Sequence, residues 1–386
     1  MTRFKTTQNH LIKTKVIRGY SQSQKIREHG KFYDIWLKKW IPLMLLSFSS
    51  GLFFVYPCLS SGGTHYQLTH RDKPFAIHFI DDTCGWIVGD NGLALKTVDG
   101  GKTWQRIKIS DKTFNDVFFV GQKGWIVGGN RLILSTDDGG NIWKKKMESP
   151  NQSTDILTML PNGTCPPQES SANSLTKVFF INKDKGFIVG ADRTILKTED
   201  GGSSWVEVSL DCMETMMEEL IMNGIFSINF YGVFFLNEDS GWIVGDSGTI
   251  LHSEDSGKEW TVQNGGLLPS LFSISFKNHN EGWAVGQNGF FLKTENGGKT
   301  WQNVSLEKKH SLYRIRIYDK YGVIVGDQAT IIVTTDAGKT WDEVATALNP
   351  PHPWFVDAWI LPAKSPMVLS VGKGIFLKTD ILRHAK

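Results

Sequence analysis

With 386 residues, 40% of them hydrophobic, 21% charged and 39 of them glycine, the chain has enough apolar material for one large repeat domain or two ordinary ones, which excludes a disordered polymer. The net charge is only +3, but it is unevenly placed: residues 1–40 hold ten Lys and Arg against Glu28 and Asp34. The remainder is mildly acidic and lacks the basic footprint of a nucleic-acid binder.

In chain order, residues 1–40 read as a basic cytoplasmic tail. Residues 41–59, IPLMLLSFSSGLFFVYPCL, carry no charge and are long enough to cross a hydrocarbon core of roughly 30 Å. Trp40 and Tyr56 stand where interfacial aromatics belong, and the positive-inside rule puts everything after residue 59 on the far side of the membrane. A cleaved signal peptide is the rival reading. Against it, a forty-residue basic region is unusually long, no A-x-A site follows, and VYP before Cys58 is a poor lipoprotein site.

From residue 60 onward one unit returns seven times. GWIVGDNGLALKTVDGGKTW begins at Gly85, GWIVGGNRLILSTDDGGNIW at Gly124 and GFIVGADRTILKTEDGGSSW at Gly186. Further copies begin at Gly241, Gly282 and Gly322, and a shortened one, VLSVGKGIFLKTD, at Val368. An apolar segment such as FNDVFFV precedes each. Four short strands per unit at a period of about forty residues predict propeller blades, so the fold class is an all-β, seven-bladed propeller over 60–386. A solenoid is the runner-up. The last unit lacks a fourth strand, and SGGTHYQL from Ser61 aligns with DGGKTWQRI from Asp99; the N-terminal strand is therefore expected to complete the last blade and close the ring.

Between strands three and four each unit carries S/T-x-D-x-G-x-x-W. The acidic position is Asp99, Asp138, Asp200, Asp255 and Asp336, with Asn296 in the remaining copy. Asp or Asn accepts hydrogen bonds from turn N–H groups, Gly takes positive φ, and Trp folds back over the hairpin. This explains the motif as structure, with no ligand, metal or cofactor required. The six boxes resemble those of the Asp-box (BNR) propellers, and the whole unit is most similar to the photosystem II stability/assembly factor proteins and their bacterial relatives. That resemblance implies a non-enzymatic assembly helper, extracytoplasmic or lumenal, that binds protein.

Turns 1–2 and 3–4, with all the boxes, belong on one face of the ring; turns 2–3 and the links between blades belong on the other. Most links are about ten residues long, but those after Trp143 and Trp205 are much longer, and insertions on a rigid ring are where function is expected. The second could form a methionine-rich helix, with Met213, Met216 and Met217 either binding a partner or plugging the ring. Arg131 and Arg193 occupy 2–3 turn positions held by Gly92, Gly248 and Gly289 elsewhere, and Trp354 lies on the link into the last blade. These six residues are the candidate partner-binding set. Cys165 and Cys212, one in each insertion, are a candidate disulfide outside the cytoplasm.

A sialidase-like or glycoside hydrolase/lectin reading is the alternative from another class. It needs converging arginines or a carboxylate pair. Arg106 falls on an outer strand, and the pairs Asp81–Asp82 and Glu218–Glu219 read as turn and helix-surface charges. GDSG at Gly245 is the same hairpin turn as GDNG at Gly89, and no zinc, CxxC or phosphate-loop pattern appears.

Overall fold

The computed structural model describes residues 66–147, 174–304, 306, 309–346, 348, 352–361 and 366–383. All the described residues belong to one compact unit. The expected tail, the apolar segment 41–59, Ser61 and Cys165 lie outside the described residues. Among those described, no helix is long and apolar enough to cross a membrane.

Among the described residues seven antiparallel sheets follow one another, six of four strands and a last one of three. Blade 1 comprises Pro74–Phe79, Gly85–Gly89, Ala94–Thr97 and Gln105–Arg106. Each first strand contacts those of the blades before and after it, and the first strand of blade 7, Phe355–Leu361, contacts that of blade 1. The ring is closed, a seven-bladed propeller rather than a solenoid.

The repeated GWIVG is the most buried strand of every blade because neighbouring blades cover both its faces, so a continuous apolar run replaces alternation. Its two glycines answer separate steric demands. A Cβ on Gly85 would sit 2.7 Å from the Phe79 ring, and one on Gly89 would sit 2.1 Å from the Lys73 carbonyl oxygen, where the first strand bulges. The same pair of approaches recurs at Gly124 and Gly128.

The boxes are turn locks. In blade 1 the Asp99 carboxylate accepts the Lys102 and Thr103 N–H groups at 3.0 and 2.9 Å, while Thr97 Oγ1 accepts the Gly101 N–H at 3.0 Å. Asn296 keeps the geometry, accepting the Thr300 N–H at 2.9 Å. The indoles lock blade to blade: Trp143 meets Trp86 of the preceding blade edge-on, with centroids 5.6 Å apart. None of the six box indole N–H groups finds a hydrogen-bond acceptor among the described residues, so the tryptophans act through their rings.

The expected closing strand is only partly within view. Tyr66–Leu68 carry no strand, and the Tyr66 N–H is taken by the Trp104 carbonyl of blade 1 at 2.6 Å instead of an acceptor on blade 7. Tyr66 and Leu68 nevertheless pack into the cluster of Leu361, Leu369 and Val371, and Asp72 O accepts the Gly374 N–H of the last blade at 2.9 Å. This segment therefore bridges both sides of the seam.

Candidate partner-binding face and central channel

The 2–3 turns place two consecutive residues in the left-handed region in six blades. Glycine fills the second position in three of them, because a Cβ there costs about 1 kcal/mol or more. Arg131 (φ 53°) and Arg193 (φ 58°) carry that cost on adjacent blades 2 and 3. Arg131 reaches Glu207 Oε2 of blade 3 at 3.2 Å. The Arg193 N–H donates to the Ile228 carbonyl at 2.8 Å, and its buried Nε has no acceptor.

The second insertion folds as a short turn, Asp211–Met213, and a helix, Glu214–Met222. Two of the candidate methionines lie in the core. Met213 and Met217 are buried at 0% and 6% exposure, and with Leu220 and Ile228 they join the core of Phe230, Ile243 and Trp260. Helical spacing turns them inward, against blades 3 and 4. Met216 is half-buried against Gly265, where a Cβ would lie 2.4 Å from its sulfur. The apolar side chains that do face outward are Ile221, Met222 and Phe226. Trp354 is 41% exposed, and the Lys373 ammonium lies 5.4 Å from its ring centroid.

Of the expected Cys165–Cys212 pair only Cys212 lies within the described residues, where it is a free, exposed thiol. Cys84, in the 1–2 turn of blade 1, is disulfide-bonded.

Sequence reasoning missed the centre of the ring. First strands of all seven blades line a cavity of about 200 Å³. Asp116, Lys177, Arg314 and Asp357 occupy one register position on their blades, each opposite a second-strand valine. Lys177 Nζ lies 2.6 Å from Asp116 Oδ1, and Asp116 Oδ2 accepts the Val178 N–H at 3.0 Å. Across the ring, Arg314 Nε meets Asp357 Oδ1 at 2.7 Å and Arg316 Nη2 lies 3.2 Å from the same oxygen. Burial works against the Asp357 charge, yet Arg314, Arg316 and Lys177 hold its carboxyl well below the usual range. His78 is kept neutral by burial and then by the positive charges of Arg316 and Lys177; its Nε2 accepts the Phe119 N–H at 3.2 Å. The signal was a charged residue at one fixed place in otherwise apolar inner strands.

No Asp or Glu is among the residues lining this cavity, and the described residues hold no metal-ligand cluster. Asp81 is consumed by its turn, accepting the Thr83 and Cys84 N–H groups at 2.7 and 2.8 Å. Glu218 and Glu219 lie exposed on the helix. Arg106 stacks on Tyr66 at 5.4 Å, far from the inner strands.

The family model described as photosynthesis system II assembly factor YCF48 matches residues 60–158, 168–270 and 266–381. The photosystem II assembly lipoprotein Ycf48 of Synechococcus sp. (strain CC9902) is 40% identical over 93 residues, 24% of this chain and 24% of that protein. The chloroplastic photosystem II stability/assembly factor HCF136 of Oryza sativa subsp. japonica is 32% identical over 88 residues, 22% and 19% of the two chains. These alignments span about a quarter or less of the curated relatives' length. Among solved structures, YCF48 bound to D1 peptide superposes with a TM-score of 0.59 at 21% identity, covering 84% of this chain and 99% of that one. An ancestral GH74 enzyme gives 0.61 at 14% identity, covering 83% and 46%. At such identities both show the fold alone.

Proposed function

The chain belongs to the photosystem II assembly factor YCF48 family, and from that premise we propose that it is a non-enzymatic scaffold whose propeller binds a partner protein. The observation that carries the binding face is the pair of arginines at Arg131 and Arg193. Strained backbone at a side chain that glycine could replace is retained where the side chain is used. Beside them the helix Glu214–Met222 offers Ile221 and Met222, followed by Phe226, and Met216 at its edge and Trp354 extend the surface. An acidic or mixed partner segment would meet guanidinium groups and apolar contacts together.

That a solved YCF48 structure holds a D1 peptide supports a peptide segment of a photosystem II subunit as the class of partner. Residues 41–59 supply the membrane anchor in this reading, with the propeller extracytoplasmic, or lumenal in a photosynthetic host. The relatives' names, a lipoprotein and a chloroplastic factor, agree with that side of the membrane. A hydrolase reading draws on the same fold but meets a cavity wall without carboxylates. Titration of a D1 peptide against the purified chain and its arginine variants tests the proposal.

A further inference from the structure

The wall of the central cavity presents three cations and no carboxylate. Lys177, Arg314 and Arg316 line it, whereas Asp116 and Asp357 are buried behind them at 1% and 0% exposure. Those carboxylates spend their second oxygens on the Val178 and Ile77 N–H groups of the next blades. Arg314 touches Asp357 through Nε, and its two terminal nitrogens have no acceptor among the described residues. Arg316 uses Nε and Nη2 on Ala358, Asp357 and Ile77, leaving Nη1 without an acceptor among the described residues. The Lys177 ammonium makes one bond, to Asp116. The cations act on one another across the channel: burial and then the Arg314 charge push Lys177 down to about 8. Three cations against two carboxylates leave an excess positive charge in a low-dielectric space, and that arrangement calls for an anion.

The rest of the wall is aromatic. Trp359 and His78 approach at 4.4 Å, His78 and Phe118 at 4.8 Å, Phe118 and Phe179 at 5.2 Å, and Phe179 and Phe234 at 5.7 Å. This belt runs unbroken over blades 7, 1, 2, 3 and 4, with Arg316 stacked on Trp359 at 4.7 Å. Convergent donors in an apolar concavity are the form of a small-molecule site.

We propose that the central channel binds a small monocarboxylate with a flat apolar body, its carboxylate on the free nitrogens of Arg314 and Arg316 with Lys177 near by, its body on the aromatic belt. The site is distinct from the partner-binding face and does not depend on it.

The test is calorimetric titration of the purified full chain with benzoate, with benzamide as the neutral isostere and with inorganic phosphate. Benzoate is expected to bind at least about tenfold more tightly than either, since hydrogen bonds between charged groups are stronger than those to a neutral amide. The paired variant Arg314→Gln/Asp357→Asn removes the guanidinium that would hold the carboxylate, together with its own counter-charge, and should cut that preference at least several-fold. Equal binding of benzoate and benzamide, or none of either, overturns the proposal. Should the variant fail to fold, diffraction from wild-type crystals with 4-bromobenzoate decides the matter: an anomalous bromine peak inside the aromatic belt supports the site, and a peak elsewhere or none refutes it.

Discussion

Asp357 and Ile77, 280 residues apart, are joined at 3.1 Å by a hydrogen bond from the Ile77 N–H to the carboxylate, whose other oxygen holds Arg314 at 2.7 Å. One side chain thus clasps blades 6, 7 and 1. Replacing it by Asn leaves Arg314 and Arg316 without their counter-charge. Breaking a buried pair in this way costs about 3 to 5 kcal/mol, so Asp357→Asn should lower the melting temperature by at least about 5 °C. The uncharged counterpart, Ser273, whose hydroxyl accepts the Ile315 N–H at 3.2 Å, should cost only about 1 kcal/mol on change to Ala. Equal losses at the two sites in thermal melts would show that charge is not what holds the seam.

The pH dependence has two phases. His78, ordinarily near 6.5, is held well below that value in the fold by burial and by Arg316 and Lys177. A folded pKa lowered below the unfolded one means stability present above pH 6.5 and lost as pH falls below it. Asp357 and the box carboxylates, ordinarily near 3.8, are also lowered, Asp336 to about 2, where hydrogen bonds from Thr340 and Thr334 outweigh burial. Their contribution is present above pH 3.8 and disappears toward pH 2. Denaturant melts should therefore weaken gently below about pH 6.5 and steeply below about pH 4. The His78→Gln variant should shrink the first phase and leave the second intact, the remainder of the first coming from His252, whose pKa burial also lowers.

Strain at the 2–3 turns separates function from stability. Arg131→Gly and Arg193→Gly relieve left-handed backbone worth about 1 kcal/mol each, offset in part by the extra freedom of glycine in the unfolded chain. The variants should melt at or slightly above wild type. A clear drop in melting temperature would mark these arginines as structural and remove the reason for assigning them to a binding face.

The boxes should behave oppositely. Asp255 accepts from Ser253 Oγ at 2.8 Å and from the Lys258 and Glu259 N–H groups at 3.0 Å each. Asp255→Ala should destabilise by about 1 to 2 kcal/mol yet leave partner affinity unchanged, because the box lies on the other face. Loss of affinity in a folded Asp255→Ala protein would move the binding surface to the box side.

Thiol chemistry reads the state of Cys84 and Cys212. Cys212 should alkylate in the native protein, slowly at neutral pH because partial burial raises its pKa, whereas Cys84 should label only after reduction. Mass spectrometry of peptides from the alkylated protein checks both, and a protected Cys212 would contradict the free thiol.

The blade count, the strand order and the turn chemistry of the boxes were legible because each repeats: Gly89, Thr97, Asp99 and Trp104 recur at fixed spacing, and local sterics dictate them. The channel was not, because Asp116, Lys177, Arg314 and Asp357 are adjacent only through ring closure, and no local pattern pairs residues on different blades. The helix Glu214–Met222 was foreseen, but which methionines turn inward depends on how it sits on Trp260 and Phe230, a tertiary matter.

The most direct measurement is a titration of D1 peptide against the wild-type chain and the Arg131→Gly/Arg193→Gly double variant, with melting curves recorded on the same samples. Saturable binding to wild type is expected, weakened by at least about tenfold in a double variant that melts no lower, as the loss of charge-assisted hydrogen bonds requires. Equal affinity in the two proteins, or no binding to either, would contradict the assignment of this face.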